Sequence, residues 1–380
     1  IEVYLMIFNV SKSKLEKGNL TKDEIISLLN TNQNDIIDLM AIANSKRENN
    51  NITYSKNIFI PLTEICRNYC GYCTFRKDPN DNNAIILKDK TEITFQLKNA
   101  EKYGCKEALF TFGEQADQEK VVKIALKEKG FENMNEYIYD ICESTLKNTK
   151  LLPHTNAGVL SYEEMKSLKE VNVSMGMMLE NSSDRLRTIE AHINSPGKDP
   201  KVRIDTIAEA GRLKIPYTTG ILIGIGETKE EIADSLLTIK NLNDKYGHIQ
   251  EIIIQNFRSK KGIPMEKNPE PSLLDMIRTV SVAKLLFSDV SIQVPPNLNY
   301  ETNQVFLLCG ADDWGGISPI TKDYVNPDSP WPEIDHMRNL TKDAGLNLKE
   351  RLPIYNKYIN ETYLNDELLH RTLELKKSLN

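Results

Sequence analysis

Three cysteines stand close together in Cys66-Arg67-Asn68-Tyr69-Cys70-Gly71-Tyr72-Cys73. Thiolates at spacings of four and three can each take one iron of a 4Fe–4S cube. The fourth iron is then left without a protein ligand, and an open corner is where a small chelating molecule can bind. Zinc is the alternative, because three cysteines and one histidine close a tetrahedron. The next histidine, however, is as far off as His154, and zinc pairs are usually spaced by two residues on both sides. A purely structural cysteine cluster would leave three thiols open to oxidation. The spacing therefore favours an iron–sulfur cluster with one open coordination site, on Cys66, Cys70 and Cys73.

A loop of this kind needs a scaffold, and the chain is long enough to provide one. It has 380 residues, 40% apolar and 27% charged, which excludes an extended disordered chain and a collagen-like repeat. Six cysteines are too few for a secreted disulfide scaffold and point instead to metal chemistry in the cytoplasm. Forty-eight basic against 54 acidic side chains give −6, so the surface does not advertise nucleic-acid binding. Short basic runs such as Lys260-Lys261 read as solvated surface. No apolar stretch approaches the ~20 residues of a membrane span. The opening Ile1–Phe8 is too short, and lacks the basic flank, for a signal peptide. It carries no initiator Met, which leaves the true start open.

Residues 1–50 read as a helical extension, with a capping box at Thr21-Lys22-Asp23-Glu24. Short apolar runs then alternate with amphipathic stretches. Strands are expected at Asn57–Pro61, Ala108–Phe112, Leu151–Asn156, Val171–Leu179, Ile215–Ile225, Glu251–Phe257 and Ser291–Val294. Helices are expected at about 94–103, 134–148, 161–170, 200–213, 228–246 and 273–288. A weak eighth unit lies in Tyr300–Ile317. The pattern predicts an α/β fold of parallel βαβ units, a (β/α) TIM-type barrel of six to eight strands over 51–340. Residues 341–380 read as a helical extension ending in a charged helix from Asn365. An open doubly wound sheet shares the alternation, and in both cases chemistry belongs at the C-terminal ends of the strands.

The Cys-x-x-x-Cys-x-aromatic-Cys loop after the first strand resembles the signature of radical S-adenosylmethionine (radical SAM) enzymes. In that superfamily the amino and carboxylate groups of S-adenosylmethionine chelate the open iron, and an electron from the cluster cleaves the sulfonium to methionine and a 5′-deoxyadenosyl radical. The resemblance implies that Tyr72 lies against the adenine edge. Thr111-Phe112-Gly113-Glu114 is similar to the superfamily's Gly-Gly-Glu element, with Phe112 in place of the first glycine. Gly113 would allow close backbone approach, and Glu114 would accept from the methionine ammonium. In Met178-Leu179-Glu180-Asn181, Glu180 offers an acceptor for the ribose hydroxyls or, alternatively, a helix cap. Arg203-Ile204-Asp205-Thr206 resembles a stretch in biotin-synthase-like members whose arginine meets the cofactor carboxylate; a helix-surface arginine is the plainer reading. Gly220-Ile221-Leu222-Ile223-Gly224-Ile225-Gly226-Glu227 lacks the G-x-G-x-x-G spacing of a phosphate loop. In the radical SAM fold Gly224 and Gly226 would let the adenine lie on strand backbone.

Further segments resemble one family within the superfamily: Asn57–Thr63, Gly71–Phe75, Pro153-His154-Thr155-Asn156-Ala157-Gly158, Val294–Asn297 and Gly310-Ala311-Asp312-Asp313-Trp314-Gly315-Gly316. They resemble the CofG family, the smaller-subunit type of 7,8-didemethyl-8-hydroxy-5-deazariboflavin synthase, whose product is the chromophore of coenzyme F-420. A single three-cysteine loop matches the two-protein form of the synthase. The resemblance implies an ammonia lyase that takes 5-amino-5-(4-hydroxybenzyl)-6-(D-ribitylimino)-5,6-dihydrouracil, abstracts a benzylic hydrogen, closes a ring and expels ammonia. A partner radical SAM subunit of the CofH type would supply this adduct, and an external donor the electrons.

The adduct is neutral, polyhydroxylated and aromatic, so its site should offer hydrogen bonds. His154 and Asn156 share one strand face. Gln255 and Asn256 end the sixth strand, Asn297 the seventh, and Asp312 with Asp313 the possible eighth. Among these, His154 and Asp313 lead as proton acceptors, while Asn156, Gln255, Asn256, Asn297 and Asp312 are expected substrate contacts; the alternative for each is a strand-end group that satisfies loop backbone. Arg187–Pro200 reads as a lid or, equally, a plain surface loop. Cys105, Cys142 and Cys309 read as core, His248 and His370 as surface, and Trp314 and Trp331 as core plugs or ligand contacts. Competing functions are another radical SAM reaction, either that of the tyrosine–diaminouracil joining partner or a biotin-synthase-like one, and a non-catalytic iron–sulfur carrier.

Overall fold

A computed structural model of the chain describes residue 10 and residues 12–379. The opening Ile1–Phe8, read above for a leader, lies outside the described residues. Strands β1 (Asn51–Pro61), β2 (Glu107–Thr111), β3 (Leu152–Asn156), β4 (Ser174–Gly176), β5 (Tyr217–Ile223), β6 (Ile249–Asn256), β7 (Ser291–Gln293) and β8 (Asp313–Ile317) are hydrogen-bonded in that order. Every pair is parallel, and β1 bonds both β2 and β8, which closes an eight-stranded barrel. Helices fill most of the crossovers. The six expected helices form, and the capping boxes at Thr21/Glu24, Ser161/Glu164 and Thr228/Glu231 each close reciprocally. Helices Lys120–Glu128, Asn303–Leu308 and Ile334–Asp343 were not among those expected. No helix among the described residues is long and apolar enough to cross a membrane.

Strand alternation sorts side chains between two environments. Ile58 and Ile60 of β1, Ala108 and Phe110 of β2, and Ile252 and Ile254 of β6 are buried beneath the helices. Their neighbours Asn57, Phe59, Glu107, Leu109, Glu251 and Ile253 face the barrel interior, where they line a cavity of about 380 Å³. The interior is thus partly polar and open, where a barrel without such a cavity would be filled with stacked aliphatic layers.

The C-terminal segment departs from the expected helical extension. Asn347–Arg351 forms β9, which pairs in parallel with Asn51–Ser55, the lower half of β1. It shares that edge of β1 with β2, which pairs with the upper half. The polar composition of Asn347-Leu348-Lys349-Glu350-Arg351 hides this strand from periodicity. Beyond it the chain crosses the barrel floor: the Pro353 carbonyl accepts from Ser174 Oγ at 2.7 Å and from Gln250 Nε2 at 3.1 Å. The terminal helix Asp366–Lys377 then forms, capped by Asn365 as expected.

Candidate active site

The cysteine loop leaves the top of β1 and is held by the long connection after β4. Tyr69 N donates to Asn194 O, Gly71 N to Ala191 O, and Gly197 N to Asn68 Oδ1. Cys70 Sγ accepts from Ser195 Oγ at 3.3 Å, and Cys66 Sγ from Asn68 N at 3.4 Å. Residues 187–200 are therefore not a bare surface loop, because they pack on the cysteines; His192, Ser195 and Gly197 are buried. Cys66, Cys70 and Cys73 are free thiols that line the same cavity.

No three His, Cys, Asp or Glu side chains among the described residues are gathered so as to hold a metal ion. A 4Fe–4S cube makes a different demand. Each thiolate meets a different iron, so the sulfurs stand around a volume rather than a point. The donor set, three thiols on one cavity with N–H and O–H donors to two sulfurs, fits that demand. Burial pushes the Cys66 thiol up to about 12, so ligation must displace its proton. Burial also raises Cys70, against the pull of the Lys198 ammonium.

A buried set of charges sits beside the loop. Glu114, beyond the end of β2, accepts from Asn68 Nδ2 and Arg203 Nη1, both at 2.9 Å, and from Val159 N at 3.2 Å. Arg203 also donates to the carbonyls of Met178 and Gly197. It is buried, so the plainer reading of a helix-surface arginine does not hold. Three glycines make the room: a Cβ on Gly197 would stand 1.6 Å from Glu114 Oε1, one on Gly158 2.4 Å from Oε2, and one on Gly113 1.8 Å from Ile65 O.

Glu180, beyond β4, has φ +64°, a left-handed conformation uncommon for a residue other than glycine. Its carboxylate pairs with Lys198 Nζ at 2.6 Å. Burial works to raise Glu180, but Lys198 and Arg203 overturn this and hold it below the ordinary value. Tyr72 OH lies 3.0 Å from His192 Nε2. Burial and the nearby Lys198 push His192 down to about 3, so the imidazole is neutral at pH 7.

The same cavity is also lined by His154, Asn156, Gln255, Asn256 and Asn297. His154 Nδ1 lies 2.6 Å from Ser174 Oγ, and Nε2 lies 3.2 Å from Asn156 Oδ1. Ser174 Oγ also lies 2.7 Å from Pro353 O, so its one hydroxyl proton serves either that carbonyl or Nδ1. Burial holds His154 below the ordinary histidine value. Asn256 accepts from Asn299 Nδ2 at 2.9 Å, and Asn297 Nδ2 donates to Asp323 Oδ2 at 2.9 Å; both brace loops as well as facing the cavity.

Four expected residues lie elsewhere. Asp312 and Asp313 begin β8 rather than end it, which puts them at the floor. Asp312 pairs with Lys284 at 2.8 Å, away from the cavity. Asp313 is fully buried beneath the cavity and saturated by Arg351 Nε and Nη2, Tyr355 OH, Thr53 Oγ1 and Gly315 N. It has no spare lone pair with which to accept a proton. Gly224 and Gly226, at φ +93° and +99°, line a separate cleft of about 310 Å³ with Lys229, Glu270 and Arg278. Their left-handed turns bury Ile225 with Leu222 on the Tyr72 side, so apolar side chains stand where glycine backbone was expected.

Two surface readings also change. His248 is buried, its Nε2 2.9 Å from Ile207 O, and Lys260 reaches Asn326 Oδ1 at 2.6 Å on the cavity wall. Cys105, Cys142 and Cys309 are core residues as expected, and His370 is exposed. Sequence reasoning missed Lys198, Glu251, Arg351 and Asn57. Lys198 sat inside a loop that had been singled out and Asn57 opened a segment that carried the family resemblance, but Glu251 and Arg351 had no motif to mark them.

Comparison with known proteins agrees with the geometry. Residues 60–239 match the Radical SAM superfamily. The chain is 64% identical over 335 residues to the 7,8-didemethyl-8-hydroxy-5-deazariboflavin synthase of Methanobrevibacter smithii, covering 88% of this chain and 99% of that one. The synthase of Methanocaldococcus jannaschii is 54% identical over 363 residues, with 94% and 98% covered. Among solved structures, methylornithine synthase (PylB) superposes with a TM-score of 0.70 at 18% identity, covering 88% of this chain and 96% of that one. The [FeFe]-hydrogenase maturase HydG gives 0.73 at 16%, covering 99% and 91%. At those identities the two structures speak to the barrel alone. The cysteine loop, the carboxylates beside it and the near-full-length relatives converge: the chain belongs to the 7,8-didemethyl-8-hydroxy-5-deazariboflavin synthase family of radical SAM enzymes.

Proposed function

We propose that the chain converts 5-amino-5-(4-hydroxybenzyl)-6-(D-ribitylimino)-5,6-dihydrouracil to 7,8-didemethyl-8-hydroxy-5-deazariboflavin by ring closure, loss of ammonia and net removal of two hydrogens, with S-adenosylmethionine, ending as methionine and 5′-deoxyadenosine, as the two-electron oxidant. The observation that carries this reading is one cavity shared by two sets of side chains. Three cysteines, Tyr72, Glu114 and Glu180 line it together with the neutral hydrogen-bonding groups of His154, Asn156 and Gln255. When bound, the 4Fe–4S cluster and S-adenosylmethionine supply a 5′-deoxyadenosyl radical able to remove a benzylic hydrogen. Cys66, Cys70 and Cys73 would hold the cluster. Glu114, oriented by Arg203 and Asn68, would take the cofactor ammonium, and Glu180 its ribose hydroxyls.

A neutral His154 keeps one ring nitrogen as an acceptor, and with Nδ1–H given to Ser174 that nitrogen is Nε2. A proton arriving there during ring closure gains Asn156 Oδ1 as its partner, 3.2 Å away. Residues 187–200, closed on the cysteine loop, would keep water and stray hydrogen donors from the radical, and their opening would admit ligands. A partner radical SAM subunit of the CofH type would deliver the adduct, and an external donor would reduce the cluster. Free thiols throughout suit a reducing cytoplasm.

The test is anaerobic. The reconstituted protein is given dithionite, S-adenosylmethionine and the adduct, and products are followed by mass spectrometry. Deazaflavin together with 5′-deoxyadenosine is the expected result. 5′-Deoxyadenosine alone would reopen the substrate. Neither product, from protein shown to hold iron and sulfide, would overturn the enzyme reading.

A further inference from the structure

Asn57 presents an unusual account of its polar atoms. It sits midway along β1, 1% exposed, on the inward face, and neither Oδ1 nor Nδ2 has a hydrogen-bond partner. Each such group left bare costs about 1–3 kcal/mol. A native chain keeps such a cost where something outside the chain supplies the missing partner. On the neighbouring strand Trp314, also 1% exposed and lining the same cavity, has an unpartnered Nε1–H.

The sequence around these groups makes room for them. A Cβ on Gly316 would stand 2.1 Å from Asn57 Nδ2, and one on Gly315 would stand 2.1 Å from Gln293 Nε2. The adjacent glycines of β8 thus let two side-chain amides project into the barrel. The charged groups at this depth already have partners. Glu107 accepts from the Ser55 hydroxyl, and Glu251 accepts from Arg351 Nη2 at 2.6 Å. What is left unpaired is neutral: one amide with an acceptor and donors side by side, and one indole N–H.

The complement of a primary amide is a ring edge that shows N–H and C=O next to each other, which the amide can meet with two parallel hydrogen bonds. Asparagine uses this geometry to read an adenine edge. A pyrimidinedione carries such an imide edge. Asn57 lies four residues before the end of β1, roughly 13 Å back along the strand from where the cysteine loop departs. That puts it deep in the barrel, away from the groups that would hold the cofactor.

We infer that Asn57, with the Trp314 indole N–H on the adjoining strand, forms the subsite that holds the imide edge of the substrate's pyrimidinedione ring, in space left by Gly315 and Gly316. This rests on the deazaflavin-forming reading above and adds the orientation: the heterocycle points down the barrel, and the hydroxybenzyl carbon that loses hydrogen lies toward the cysteines.

The test pairs a residue change with a ligand change. Wild-type holoenzyme, Asn57→Ala and Gly316→Ala are prepared anaerobically with cluster and S-adenosylmethionine. Binding of the deazaflavin product and of its N3-methyl derivative, which lacks the imide N–H, is measured by equilibrium dialysis. Methylation should weaken binding to wild type about tenfold or more, an imide hydrogen bond's contribution of roughly 1.4 kcal/mol. It should change binding to Asn57→Ala by less than about twofold, and both variants should bind the parent product about as weakly as wild type binds the methylated one. Retained S-adenosylmethionine binding shows that the variants are folded. Equal loss on methylation in wild type and Asn57→Ala overturns the subsite. So does insensitivity of Asn57→Ala to shortening of the ribityl chain instead, which would assign the amide to the polyol. A wild type that makes deazaflavin but shows no coupling condemns the subsite alone, whereas one that neither makes nor binds it condemns the reading on which the subsite stands.

Discussion

Arg203 Nη1 donates to Glu114 Oε2 at 2.9 Å, with both side chains less than a tenth exposed. The pair joins the end of β2 to the helix Pro200–Arg212 that follows the cysteine-covering connection. Arg203 uses its remaining donors on carbonyls of Met178 and Gly197, so one guanidinium ties three segments together. A buried ion pair is weak evidence for stability, since desolvation offsets its attraction. Its value here is positional: it fixes which way the Glu114 carboxylate faces at the rim where a cofactor ammonium would dock.

Removing one partner should therefore behave differently from removing the charge of both. Arg203→Gln leaves a buried carboxylate uncompensated and should cost about 3–5 kcal/mol in urea unfolding. Arg203→Gln combined with Glu114→Gln should recover most of that loss. The double variant should still fail to bind S-adenosylmethionine by calorimetry. Wild-type affinity in the double variant would show that the pair only holds the loops.

Gly197 offers a sharper probe of the same site. Its added methyl would stand 1.6 Å from Glu114 Oε1 and 2.8 Å from Asn68 Nδ2. Gly197→Ala must push either the carboxylate or the connection over the cysteines out of place. Far-UV circular dichroism should be unchanged, while S-adenosylmethionine affinity falls at least about tenfold, a change of ~1.4 kcal/mol. Gly130→Ala is the control, because a Cβ there meets nothing within 4 Å, although its φ of +85° strains it. It should lose a little stability and no affinity.

His154 should separate hydrogen abstraction from ring closure. His154→Gln removes the Nε2 acceptor, and deazaflavin formation should fall about 10²–10⁴-fold, the usual worth of a general base. 5′-Deoxyadenosine should continue to form when the adduct is present. Burial holds the imidazole below its ordinary 6.5, so it stays neutral as pH drops from 7 to 6.5. The acid limb of the wild-type rate profile should accordingly lie below 6.5, and Asn156→Ala, which removes the partner of the added proton, should move it lower still. A limb at or above the ordinary histidine value would remove His154 from the role.

The barrel was legible because its signals are local. Alternating apolar runs marked seven strands, and serine or threonine followed three residues later by glutamate marked helix starts at Thr21, Ser161 and Thr228. The cysteines were legible from their spacing, and Glu114, Glu180 and Arg203 from the resemblance to radical SAM motifs. The floor was not, because it depends on which end of a strand a residue occupies. Asp313 opens a short glycine-rich β8 and Asp312 precedes it, and a weak strand signal gives no direction along it. Arg351 reaches Asp313 across 38 residues, and Glu251 across 100, from a strand made of polar residues. Asn57 opened a segment that carried the family resemblance but was not set apart within it, since its distinction is the lack of a partner, a property only packing reveals. Gly224 and Gly226 misled for a related reason: glycines show that a turn is left-handed, but not which neighbour the turn buries.

The floor carries the last prediction. Glu251 and Asp313 share the single guanidinium of Arg351, at 2.6 Å each, in the buried end of the barrel. Two carboxylates cannot both be neutralised by one cation, so one keeps a proton. Burial raises Glu251, Asp313 adds to the rise, and against the pull of Arg351 it reaches about 8 from an ordinary 4.5. Between those values the folded chain holds a proton that the unfolded chain has lost. The sign follows: this group's contribution is complete below about 4.5 and is lost as pH climbs through about 8. Stability from this source therefore falls toward alkaline pH, opposite to the usual carboxylate. Glu251→Gln imitates the protonated form and should flatten that slope while keeping the floor closed. Urea midpoints for the two proteins from pH 5.5 to 8.5 should converge in acid and part in alkali, with the glutamine variant the more stable at the high end. Parallel curves would mean that Glu251 is ionised in the fold. Arg351 would then be divided between two charges, and the C-terminal strap would lack the single firm anchor on Asp313 that the geometry gives it.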